Sequence, residues 1–309
     1  MDSHTTSSTP IDVYQLVTDQ IIALLEKGVV PWQKSWNEAG LPMNLLSKRH
    51  YRGINLWLLL SLNYERNFFL TWDQVKSIGG SVLKNEKGQI IAFWKHVPKK
   101  PVELDEKGEP KTTAMLRYYR VFNIDQCRDI RPELIPTIGA PLNFNPIASC
   151  ETIIVKMPNC PPIQHKEQQA YYNPEKDFIN MPKKKSFKLA ESYYSTLFHE
   201  LIHATGSEKR LARKTLGEMS SFGSENYSME ELIAEIGSAF LCHSSGILPN
   251  QIDNTAAYLD NWLGVFKNDK RFIVTASGQA QKASDLILNI PEKESKEEVN
   301  EAISESVIS

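Results

Sequence analysis

The sequence predicts an α+β protein of two domains, an N-terminal α+β module followed by a mainly helical domain. Three features predict it. Up to about residue 130, short helical patterns alternate with strand-like runs, whereas from 148 onward helical periodicity dominates. Between them Pro132, Pro136, Gly139, Pro141 and Pro146 punctuate a stretch that reads as a linker. A chain of 309 residues is also long enough for two cores. The boundaries are then 8–130 for the first domain, 131–147 for the linker and 148–290 for the second. The remainder, 291–309, is an acidic, serine-rich tail whose composition is that of a disordered segment. A proline-rich linker between two separate apolar patterns predicts that each half folds alone.

Element by element, Asp12 to Leu25 repeats apolar residues at helical spacing and stops before Gly28 and Pro31. A second apolar helix, Ile54 to Leu62, is entered through Tyr51-Arg52-Gly53. Thr71-Trp72-Asp73-Gln74 reads as the N-cap and first turn of a short helix that ends at Gly79-Gly80. Two strands, Gln89 to Trp94 and Tyr118 to Phe122, flank a charged loop over Lys99–Lys111. In the second half a helix over Ala148–Met157 precedes strand candidates at Ile163–Tyr172 and Phe178–Met181. A long helix ending at Gly206 follows. Further helices span Glu230–Cys242, Thr255–Phe266 and Arg271 toward Ile287.

Composition narrows the function classes. With 41% apolar and 23% charged residues and a net charge of −2, the chain reads as a globular protein. No run approaches the eighteen or so apolar residues of a membrane helix, and the first ten residues lack the pattern of a secretory leader. Four cysteines, Cys127, Cys150, Cys160 and Cys242, show no CxxC pairing, which speaks against a disulfide framework and a cysteine zinc site. The expectation is a cytoplasmic protein with reduced thiols and no membrane partner. The first half is mildly basic and the second mildly acidic, a difference too small to imply nucleic acid by itself.

The strongest chemical signal is His199-Glu200-Leu201-Ile202-His203. Histidines four apart on a helix differ by only about 40° around its axis, so both imidazoles project to one side. They can hold one zinc ion, or another divalent ion such as manganese, while Glu200 acts as general base toward a metal-bound water. The competing reading is an amphipathic helix with surface histidines. A third ligand favours the metal: Ser228–Cys242 sets Glu231 and Glu235 four apart beside the small residues Ala234, Ser238 and Cys242. Two carboxylates on such a face are costly unless paired or metal-bound. Ser228 to Glu231 also fits a capping box. The assignment taken is Glu231 as metal ligand and Glu235 as the acid that hydrogen-bonds a ligating histidine, with the reverse left open. Phe178–Met181 is a candidate edge strand for an extended peptide. Tyr171, Tyr172 and Tyr194 are candidates for oxyanion stabilisation or for aromatic packing.

The first half interleaves aromatic and basic residues. Trp32, Lys34, Trp36, Lys48, Arg49, Tyr51, Arg52 and Trp72 form a candidate single-stranded DNA surface, stacking on bases and attracting phosphates. For the tryptophans the core is the alternative location.

PWQKSW (31–36), LPMN (41–44), YRGINLWLL (51–59), TWDQV (71–75) and RVFNIDQ (120–126) resemble the N-terminal domain of ArdC-type antirestriction proteins, shared with TraC-like conjugation primases. The second half resembles the same family through YYSTLFHELIHATG, KRLAR (209–213), EELIAEIGSAFLC and YLDNWLGVFKNDKRFI (258–273). The chain departs at Ala204, where the family commonly has tryptophan. The resemblance implies a single-stranded-DNA-binding domain joined to a zincin-like metallopeptidase domain, in a protein of plasmids and conjugative elements that shields incoming DNA from restriction. Three readings follow: protection by binding DNA, proteolysis of a restriction-modification component or other protein delivered by the DNA domain, or a purely structural metal site.

Overall fold

A computed structural model describes residues 11–33, 40–106, 108–136, 146–217, 225–249 and 255–291. Lys34 and Trp36, most of the expected linker and nearly all of the acidic tail lie outside the described residues. The first half contains α1 (Val13–Leu25), β1 (Met43–Asn44), α2 (Ile54–Leu60), β2 (Phe68–Thr71) and α3 (Trp72–Ser77). It continues with β3 (Ser81–Val82), β4 (Gln89–Pro98), β5 (Thr112–Asn123) and β6 (Cys127–Arg128). The second half contains α4 (Pro146–Lys156), β7 (Ile163–Gln164), β8 (Tyr171–Asn173), β9 (Phe178–Asn180), α5 (Ala190–Thr205), α6 (Lys214–Gly217), α7 (Glu225–Ser245), α8 (Ala256–Asn268) and α9 (Phe272–Ile287).

This is the expected α+β layout. Local chemistry explains the helix starts. Asp12 accepts from the backbone N–H of Tyr14 and Gln15 at the head of α1. Thr71 and Gln74 form a reciprocal capping box on α3, and Thr255 caps α8. The two predicted strands are longer than expected. β4 and β5 form an antiparallel hairpin paired from Gln89–Val121 to Pro98–Thr112, within a sheet of order β1-β2-β5-β4. β4 therefore has a free edge. There Asn55 of α2 clips the backbone of Ala92, giving and receiving bonds of 2.7 and 2.8 Å.

The second sheet corrects one expectation. β9 lies between β7 and β8, so Phe178–Met181 is not an edge strand. β7 pairs with it in parallel, which the spacing of short runs along the chain does not reveal.

The two halves do not bury their apolar faces separately. Val17, Ile21, Trp32 and Trp57 of the first half belong to the same buried cluster as Leu197, Leu201, Ile236, Phe266 and Phe272 of the second. α1 packs on α8 and α9, α2 on α9, and the turn containing Trp32 on α7. Trp57 stacks on Phe240 with ring centroids 4.9 Å apart. The expectation of two halves that fold alone thus meets a shared core. None of the described helices is long and apolar enough to cross a membrane, and all four cysteines are free thiols.

Candidate metal centre

α5 buries Tyr194, Leu197, Leu201 and Ala204 and turns its histidine face toward α7. The two helices approach closely because Gly237 of α7 leaves room for Ile202. A Cβ at 237 would come within 2.6 Å of the isoleucine side chain. Ser238 adds a hydrogen bond of 2.9 Å to the carbonyl of Ser195.

That contact brings three donor groups together. The Nε2 atoms of His199 and His203 stand 3.1 Å apart, with the rings at 80°. The two carboxylate oxygens of Glu231 lie 3.5 Å from His199 Nε2 and 3.6 Å from His203 Nε2. Ligand bonds of about 2.0–2.1 Å in a tetrahedral arrangement set neighbouring donors about 3.3 Å apart. The observed triangle has that size, and among the described residues it is the group of three such side chains suited to one ion. Glu200 is buried on the same helix. Burial by itself would lower the His199 pKa, but the carboxylates of Glu231, Glu200 and Glu235 overcome it and raise the value.

A carboxylate that sequence reasoning passed over supports His203. Glu230 is fully buried and receives Arg213 through both Nε, at 3.1 Å, and Nη2. Arg213 also donates to Thr205 Oγ1 at 2.5 Å and to the Ile202 carbonyl at 2.8 Å. Glu230 Oε1 lies 3.4 Å from His203 Nδ1, a buried nitrogen with no closer polar partner. Burial would raise the Glu230 pKa, yet His203 and Arg213 outweigh it and hold the value at about 2. With its proton on Nδ1 toward Glu230, His203 presents the Nε2 lone pair to the triangle. Gly206, the expected C-cap of α5, keeps right-handed geometry; its role is steric. A Cβ there would sit 2.9 Å from the Arg213 guanidinium.

Glu235 is placed differently from expectation. Its Oε2 accepts from Trp32 Nε1 at 3.0 Å and from the Tyr258 hydroxyl at 2.6 Å, and neither histidine is among its hydrogen-bond partners. Burial raises its pKa, against those two donors. Trp32 is correspondingly 1% exposed and offers no face to a base, which removes it from the candidate DNA surface. Burial and the neighbouring Glu231 carboxylate raise the pKa of Tyr227, one turn earlier on α7, a residue not singled out in the sequence. The three candidate tyrosines point elsewhere: Tyr171 to Glu167, Tyr172 to Asp177 and Tyr194 to Glu151.

The described members of the candidate DNA surface fall in two places. Arg49, Tyr51 and Arg52 line a cavity of about 400 Å³ between the first half and α9. Lys48 is exposed beside it at φ 59°. Trp72 is 46% exposed on α3, packed edge-on against Phe122 with Lys76 over its ring.

Residues 11–122 match the N-terminal domain of anti-restriction factor ArdC, and residues 152–279 match a zincin-like metallopeptidase domain. Crystal structures of the antirestriction ArdC protein from plasmid R388, one metal-free and one Mn(II)-bound, superpose with a TM-score of 0.71 at 36% identity. They cover 90% of this chain and 97–98% of theirs. The uncharacterized protein y4eC of Sinorhizobium fredii is 31% identical over 92% of this chain and 94% of its own length. Two Escherichia coli proteins named DNA primase TraC are 31% and 32% identical, but the match spans only 20% and 28% of their lengths.

Proposed function

From a chain that belongs to the ArdC family of antirestriction proteins, with a zincin-like metallopeptidase domain, we propose the following function. The protein serves a mobile element by binding single-stranded DNA with its first half and holding a divalent metal at His199, His203 and Glu231. The cofactor class is a divalent metal, zinc or manganese; a relative binds Mn(II). What a bound ion supplies at such a site is Lewis acidity and a water acidified toward neutral pH. Glu200 is the residue we assign to take up a proton at its carboxylate. Glu230, braced by Arg213, fixes the orientation of His203. The relation to TraC primases supports contact with DNA; priming itself is not carried over, because most of those proteins lies outside the match.

The observation that carries this reading is the size of the three-donor triangle beside a buried Glu200. A purely structural metal would have no use for that carboxylate. The reading we favour is protection by DNA binding, with proteolysis of a restriction component or other protein as the second, because Glu200 is present. Glu200→Ala in a cellular restriction-protection assay separates them. Full protection by a variant that retains metal and DNA binding supports shielding, whereas loss of protection with both intact supports proteolysis.

A further inference from the structure

A cavity of about 400 Å³ is walled by both halves. One wall is the Asn44–Asn55 segment with the free edge of β4. The other is a single face of α9, on which Val274, Gly278, Gln281, Lys282 and Asp285 recur at helical spacing. Two links hold the walls in register. Gly53 donates its N–H to Gln281 Oε1 at 2.9 Å, and Arg52 is ion-paired with Asp285.

Its chemistry is cationic and aromatic. Arg49, Arg52 and Lys282 line it, with the His50 imidazole beside them, against one carboxylate, Asp285, which Arg52 already engages. Lys282 is exposed and makes no ion pair among the described residues. Tyr51, Tyr119 and Trp94 supply rings, with Trp94 39% exposed. A volume of about 400 Å³ falls in the range of pockets for small ligands and cofactors, roughly 300–1,000 Å³.

Gly278 adds an independent observation. It sits in the middle of α9, where glycine weakens a helix relative to alanine, yet a Cβ built there meets nothing within 4 Å. Protein packing does not require a glycine at this position. An open, Cβ-free stretch of helix facing a cationic aromatic cavity suits the close approach of a ligand.

We infer that this cleft is the single-strand DNA site and that α9 of the second half completes it, with Lys282 contacting phosphate and a base entering between Trp94 and Gly278. The inference rests on the single-strand reading above and goes further: the site is not confined to the first half.

The test is fluorescence anisotropy of a labelled thymidine oligonucleotide with the full-length chain, read beside thermal melting. Gly278→Leu should keep or raise the melting temperature, because leucine favours helix and its Cβ meets no neighbour within 4 Å, yet weaken binding at least about tenfold by filling the cleft. Lys282→Ala should lower the slope of log affinity against log salt by about 0.7, the share of one single-strand phosphate contact. Should Gly278→Leu melt early, Trp94→Ala at an exposed position carries the test through an equal loss of affinity. If the wild type binds no oligonucleotide, the single-strand reading itself fails. Wild-type binding with unchanged affinity and salt slope in well-folded variants overturns the cleft assignment, including the case in which an extended peptide occupies the β4 edge.

Discussion

Replacing Glu230 with Gln tests the support beneath the metal centre. The carboxylate has no exposed surface and its two oxygens satisfy Arg213, whose side chain is 4% exposed. Removing one partner of a buried pair leaves an uncompensated charge and costs about 3–5 kcal/mol, of which a glutamine amide oxygen would recover part. The pH dependence gives an independent reading. A carboxyl held at about 2 when folded, against 4.5 otherwise, contributes roughly 3 kcal/mol. Because the folded value is depressed, that contribution is fully present above pH 4.5 and is lost as pH falls toward 2. About 2 kcal/mol of it should be gone by pH 3. Urea unfolding at pH 7, 5, 4 and 3 in the presence of chelator measures both effects. Wild type should lose this increment between pH 5 and 3, and Glu230→Gln should be weaker at pH 7 but lack it. The metal affinity of the variant should also fall about 10–100-fold. Parallel acid profiles for the two proteins would refute the assignment of this stability to the Glu230 cluster.

His203→Ala and Glu231→Ala should each abolish stoichiometric metal by elemental analysis, while Glu200→Ala retains a full equivalent. Gly206→Ala drives a methyl group into the Arg213 guanidinium and should cost about 1–3 kcal/mol by urea unfolding; an unchanged midpoint would mean that Arg213 shifts freely. A fragment of residues 1–130 uncovers Val17, Ile21 and Trp57, so its melting midpoint should fall well below that of the full chain. Equal midpoints would show that the shared core adds no stability.

What was legible in the sequence was local. The cap at Thr71, the helical period around His199 and the strand-like run at Gln89–Trp94 each act within a few residues, and each marks an element that forms. What was illegible depended on distant partners. Trp32 and an exposed tryptophan look alike in a string, and what lets its ring sit in the core is packing against Phe266 with its N–H satisfied by Glu235, 203 residues away. Glu230 and Glu231 are adjacent and identical in type, but about 100° of helix rotation sends one to Arg213 and the other to the histidines. Arg213 stood at the end of the KRLAR run, yet nothing nearby in the chain identified its buried partner. The order of β7, β9 and β8 is likewise a matter of tertiary pairing.

The core described here crosses between the halves at many points, while the chain crosses on its way from β6 to α4. Covalent continuity and physical unity are therefore different properties of this molecule. A break placed between Pro136 and Pro146 would not release two independent pieces, because α1 and α2 would still be seated on α8 and α9. Two co-expressed fragments should find each other as a split protein does. A protease acting there would nick the protein without separating its first half from its second.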